Sequence, residues 1–176
     1  LKVVHRPELE PHVDIVFVHG LGGSSRATWS KDRDLDYFWP LQFLRHEPVI
    51  KDEARILTFG YNANFRPGSG KNKMAILDFA KELLFELKYA QDETAELPED
   101  LRMGERPIVF VVHSMGGLIV KEAYMQGQID PTFSNIVKSV SAIIFLSTPH
   151  RGTNLAETLN RILQVSFVAN PMQFIA

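Results

Sequence analysis

The chain has 176 residues, 45% of them hydrophobic, and its 19 basic and 21 acidic side chains give a net charge of −2. That is enough apolar material for a single α/β domain over residues 1–176, and the mixed charges offer no basic stripe to nucleic acid. The absence of cysteine removes disulfides, a thiol nucleophile and thiolate metal sites, without fixing a redox compartment.

The N-terminal Leu1-Lys-Val-Val-His-Arg-Pro lacks the apolar core of a signal peptide, and no run is long enough for a membrane-spanning helix, so a soluble, intracellular chain is expected. Since it opens without methionine, it is read as a piece of a longer protein with further domains. Val13 to Val18 is short, β-branched and almost uniformly apolar, then meets His19-Gly-Leu-Gly-Gly23: a buried strand feeding a loop. Trp39 to Arg45 predicts a short helix with Pro40 in its first turn. Ala54 to Phe59 predicts a second strand, closed by Gly60 and an Asn/Pro/Gly-rich stretch from Tyr61 to Gly70. From Lys73 to Ala90, apolar residues at Ile76, Leu77, Ala80, Leu83, Leu84 and Leu87 trace one helix face. The polar interval from Gln91 to Arg106 reads as a surface connection. Then follow a strand (Ile108 to Val112), a helix (Gly116 to Gln126), a strand (Ser139 to Leu146) and the loop Ser147-Thr-Pro-His-Arg-Gly152. Asn154 with Glu157 predicts a capping box for a last helix to about Val165.

Strands alternating with helices call for a doubly wound, mainly parallel sheet, in which ligands bind beyond the carboxyl ends of the strands. The loops after Val18, Val112 and Leu146 all emerge there. Ser114, between an apolar strand and a helix that starts in Gly116 and Gly117, has the layout of a nucleophile elbow, with its hydroxyl standing free above the sheet. The commonest form of that motif has glycine where Val112 stands. Serine needs a base and donors for the oxyanion. The donors are the Met115 N–H and, from the glycine loop, the Leu21 N–H. The base is not evident. After Ser114 the acids are Glu122, Asp130 and Glu157 and the only histidine is His150, none well placed for a triad, so acid and histidine are expected beyond Ala176. His19 and Gly20 are read as shaping the oxyanion loop, and the glycine loop has neither the P-loop lysine nor dinucleotide spacing. Phe38, Trp39, Phe43 and Leu44 are either an acyl pocket or, more simply, core. His5, His12 and His46 are read as solvated, and the histidines have no metal-ligand spacing.

The blocks Asp14-Ile-Val-Phe-Val-His-Gly-Leu-Gly-Gly23, Thr28-Trp29, Ala54-Arg-Ile-Leu-Thr-Phe-Gly-Tyr61, His113-Ser-Met-Gly-Gly-Leu-Ile-Val-Lys121 and Phe145-Leu-Ser-Thr-Pro-His-Arg-Gly152 occur in that order. Together they resemble the lipase-like α/β-hydrolases, most closely the group of serine active site-containing proteins, GPI inositol-deacylase-like enzymes and N-terminal hydrolase domains of fungal NLR-type receptors. The resemblance implies an α/β-hydrolase fold lacking its C-terminal portion. It also implies ester or lipid hydrolysis through an acyl-enzyme on Ser114, with Leu21 and Met115 at the oxyanion positions and His113 and Gly116 completing the elbow. His150 matches a loop residue of the family, not its catalytic histidine; with Arg151 it either rims the pocket or meets an anionic head group. No cofactor or metal is implied, and a lipid substrate brings peripheral membrane contact. The rival expectation is a catalytically silent interaction or signalling domain; acyl transfer to an acceptor other than water would use the same site.

Overall fold

The computed structural model describes residues 1–63, 72–92 and 98–150. The helix expected from Asn154, together with Arg151 and Gly152, lies outside the described residues, as does most of the Tyr61 to Gly70 stretch.

Five strands form the central sheet: β1 (Lys2–His5), β2 (Val13–Val18), β3 (Ala54–Phe59), β6 (Ile108–His113) and β7 (Val140–Leu146), in the order β1-β3-β2-β6-β7. A small ladder pairs β4 (Gln91–Asp92) with β5 (Glu99–Asp100). All neighbours in the main sheet are parallel except β1, which runs antiparallel to β3. The chain steps one way from β2 to β3 and the other way from β3 to β6 and β7. Right-handed crossovers in opposite directions must lie on opposite faces. Accordingly α1 (Trp39–Gln42) and α2 (Pro48–Glu53) belong to one face, where Phe17, Trp29, Phe38 and Ile56 pack. Helices α3 (Asn72–Lys88) and α4 (Met115–Ile129) cover the other, packing Leu83, Leu87 and Ile119 on Val16, Val18 and Leu57. A short α5 (Ser134–Ser139) leads into β7.

β3 is buried along its whole length, as a parallel strand covered on both faces should be. In α3, Ile76, Ala80, Leu83, Leu84 and Leu87 are buried as their spacing predicts. Around α1, Phe38 is buried and Trp39 and Leu44 pack on the same core cluster, while Phe43 is exposed. The Gln91 to Arg106 interval departs from a plain surface connection. Leu101 and Met103 sit in the core, and Arg106 forms ion pairs with Glu10 and Asp14. Two apolar residues in a charged stretch give no periodicity from which to read this. At the amino end of the sheet, Arg55 Nε donates to Asp14 Oδ1 at 2.8 Å, and Arg55 also donates to the Leu101 carbonyl at 2.8 Å. Burial pushes the Asp14 carboxyl up, outweighing the hydrogen bond and charge of Arg55 that pull it down.

Candidate active site

At the carboxyl end of β6 the chain turns sharply into α4, and Ser114 makes the turn with φ 51° and ψ −119°. A side chain at positive φ crowds its own backbone, at a cost of about 1–3 kcal/mol that the surroundings must hold in place. Three close approaches hold it. A Cβ on Gly20 would fall 2.7 Å from Ser114 Cβ and 2.9 Å from His113 Nδ1. A Cβ on Gly116 would fall 2.5 Å from the Val18 carbonyl oxygen, so only glycine lets the start of α4 rest on the end of β2. Gly117 is packed by Thr148, whose Cγ2 would lie 2.6 Å from a Cβ there, and the Ser114 N–H donates to the Leu146 carbonyl at 2.9 Å. The loops after β2, β6 and β7 therefore meet at one place.

The loop after β2 is fixed by a residue that the sequence reasoning passed over. Tyr61, just beyond β3, stacks on His19 at 4.2 Å between ring centres, donates its hydroxyl to the His19 carbonyl at 2.8 Å, and offers its N–H to His19 Nε2 at 3.3 Å. His19 Nδ1 lies 2.9 Å from the Gly20 carbonyl. The ring is fully covered. Burial lowers its proton affinity, so it is neutral, with Nδ1–H donating and Nε2 accepting. Both ring nitrogens are taken up in fixing the Gly20 and Tyr61 backbones. A fourth loop, after β3, thus reaches the same end of the sheet; the position of Tyr61 directly after a buried strand was the signal for it.

A cleft of about 470 Å³ opens beside Ser114, lined by residues 21–24, 27, 28, 30, 32 and 33 and by His113 and Ser114. The Leu21 N–H takes part in no hydrogen bond among the described residues, and the Met115 N–H, first in its helix, has no intrahelical acceptor by position. The Ser114 hydroxyl does not stand free above the sheet as expected: Ser114 is only 5% exposed and its Oγ is covered, without a hydrogen-bond partner. The tight apposition of the Gly20 loop sinks the elbow below the rim. Five buried side-chain atoms lack hydrogen-bond partners among the described residues. Four of them, Ser114 Oγ, His113 Nδ1, Thr148 Oγ1 and Trp29 Nε1, stand about this elbow.

Other sequence candidates are not brought here. His150 does not line the cleft; its Nδ1 is 2.8 Å from Lys121 Nζ on the flank of α4, and its ring stands edge-on to Phe145. Glu122 accepts from Gln126 within α4, and Asp130 caps the following turn through the Thr132 N–H. Among the described residues no group of three or more His, Cys, Asp or Glu side chains could hold a metal ion, and no helix is long and apolar enough to cross a membrane.

A parallel sheet wound on both faces, with a serine held at positive φ between a buried strand and a glycine-led helix, defines the α/β-hydrolase architecture. The chain belongs to the alpha/beta hydrolase family, whose model matches residues 15–174. It is 35% identical over 163 residues to Protein SERAC1 of Danio rerio, and 31% and 30% identical over 162 residues to the proteins of that name from Bos taurus and Homo sapiens. These alignments cover 82% of this chain but only 22–23% of the relatives, so the chain spans under a quarter of their length. No solved structure gives a significant match.

Proposed function

We propose that this domain carries the nucleophile and oxyanion site of a serine hydrolase that cleaves carboxylic esters, with lipids as the substrate class. The observation that supports it most is Ser114 itself, strained to φ 51° beside the cleft with a buried hydroxyl that no group among the described residues satisfies. Structural serines at helix starts normally accept a backbone N–H, and this one does not.

In the proposed reaction Ser114 Oγ attacks the ester carbonyl carbon while a histidine from outside the described residues takes its proton. The carbonyl oxygen becomes an oxyanion held by the Leu21 and Met115 N–H groups. Collapse expels the alcohol, which receives the proton from that histidine, and water then releases the acid from Ser114 by the same steps in turn. Because Oγ is covered, attack requires the Ser114 side chain to turn or the wall above it to move. His19, Gly20 and Gly116 shape the site without touching the reacting atoms.

A fluorophosphonate probe on the full-length protein should label Ser114, and Ser114→Ala should abolish that labelling. Equal labelling of the variant would remove Ser114 from the mechanism. The covered Oγ favours a second reading, a catalytically silent interaction domain in a larger protein; an intact wild-type protein that takes up no probe would establish it in place of the first.

A further inference from the structure

His113 precedes Ser114, and the hydrolytic scheme above gives it no task. Its placement is unusual for a spare side chain. The ring is half-buried at the end of β6 with Trp29 edge-on at 6.4 Å, and Gly20 lies tight against Nδ1. Nδ1 is fully covered and has no hydrogen-bond partner among the described residues. Nε2 has none among them either but is not covered, and His113 lines the cleft. A neutral imidazole carries one proton. Placing it on Nδ1 would bury an unsatisfied N–H, the rarer and costlier orphan, whereas a proton on Nε2 leaves a lone pair inside and a donor outside. Burial lowers the proton affinity of the ring, which agrees with a neutral side chain.

The wall beyond this donor is of mixed polarity. Ser24, Thr28, Ser30, Asp32 and Arg33 line the cleft beyond it, with Leu21 and Ala27 as its hydrophobic members. An ester whose carbonyl oxygen rests on the Leu21 and Met115 amides has two arms, and the one that lies along this wall crosses His113. An unbroken hydrocarbon arm would leave the imidazole donor desolvated and unpaired, which disfavours it.

We propose that His113 is a specificity-determining residue whose Nε2–H binds an acceptor oxygen in one arm of the substrate ester, so that the site selects esters carrying an oxygen close to the scissile carbonyl. This inference rests on the hydrolase reading of Ser114. The test uses three esters of one shape on the full-length protein: butyl butanoate, 2-methoxyethyl butanoate and butyl methoxyacetate, the last two exchanging one methylene for oxygen on either side of the carbonyl. Comparing variants through the ratio of kcat/KM values cancels the esters' intrinsic reactivities. Relative to butyl butanoate, wild type should favour one oxygen-bearing ester. His113→Phe, which keeps a flat ring against Trp29, should lose roughly tenfold of that preference through KM, and His113→Gln, which retains a donor, should restore part of it. His113→Leu serves as the removal variant should the phenylalanine protein not fold. An unchanged ratio on removal, in a protein whose Ser114 still takes up fluorophosphonate, sinks the role of His113 alone. A wild type that takes up no probe and hydrolyses none of the three takes the hydrolase reading down with it.

Discussion

At the amino end of the parallel sheet, Asp14 and Arg55 stand side by side on β2 and β3, buried and joined at 2.8 Å, with Arg55 further satisfied by the Leu101 carbonyl. At the carboxyl end of the sheet, where β6 and β7 finish, Ser114, His113 and Thr148 carry covered polar atoms with no hydrogen-bond partner among the described residues, and Ser114 is held at positive φ. Both ends bury polar groups at a desolvation cost. The first returns most of that cost in protein hydrogen bonds, although Asp14 Oδ2 is left without one, 3.8 Å from Arg106. Orphaned polar atoms and stored strain persist where something other than stability selects them, so removing a buried polar side chain should cost stability at Arg55 and add it at Ser114.

The largest effect belongs to the amino end. Arg55→Leu leaves the Asp14 carboxylate buried with only Arg106, 3.8 Å away, to face it. Its unfolding free energy should fall by about 3–5 kcal/mol, while Asp14→Leu combined with Arg55→Met should recover most of that loss. Denaturant titration of the three proteins decides it, and a single variant that loses under 1 kcal/mol would erase the contrast between the ends. Next in size is Gly20→Ala, whose new methyl meets Ser114 Cβ and His113 at once. It should lose about 1–3 kcal/mol by overpacking and also slow fluorophosphonate uptake, because the Gly20 loop must back away from the elbow. Ser114→Gly should go the other way. Glycine is at ease at φ 51°, and the orphaned hydroxyl goes with the side chain. A gain of about 1–2 kcal/mol in stability with complete loss of labelling is expected. A lower melting point for Ser114→Gly than for wild type would mean that the hydroxyl is structural.

The contrast was only half legible in the sequence. β2, β3, β6, β7, α3 and α4 lay within a few residues of their expected bounds, because uniform apolar runs and a 3.6-residue apolar stripe are local signals. β1, α2, α5 and the small β4–β5 ladder were missed. Lys2–His5 has no apolar run of its own and becomes a strand by pairing with β3, and Pro48–Glu53 is too short to show a period. The Asp14–Arg55 pair was hidden for a related reason: one charged residue in each apolar strand is invisible until register sets them opposite. At the other end, Ser114 and the glycine loop stood out because steric demand leaves a fixed residue type behind. What no residue type reveals is depth. Whether Oγ stands above the rim or beneath it depends on how closely the Gly20 loop approaches, and that distance is set by Tyr61, which is far from both in the chain.

The smallest expected effect probes that Tyr61–His19 lock through pH. His19 is lowered by burial from its ordinary value of 6.5, and His113 is shifted the same way. A histidine with a depressed folded-state value binds fewer protons folded than unfolded once pH falls below about 6.5, so stability is full above that pH and declines below it. Between pH 6.5 and 5.5 a buried ring that stays neutral forfeits at most about 1 kcal/mol. The decline should shrink in His19→Asn, whose amide does not titrate, after correction for that variant's lower starting stability. Melting curves of wild type and variant across this window separate the cases. Parallel declines would mean that His19 takes up its proton as readily folded as unfolded, and the Gly20 loop would then rest on a charged ring rather than on the neutral one stacked against Tyr61.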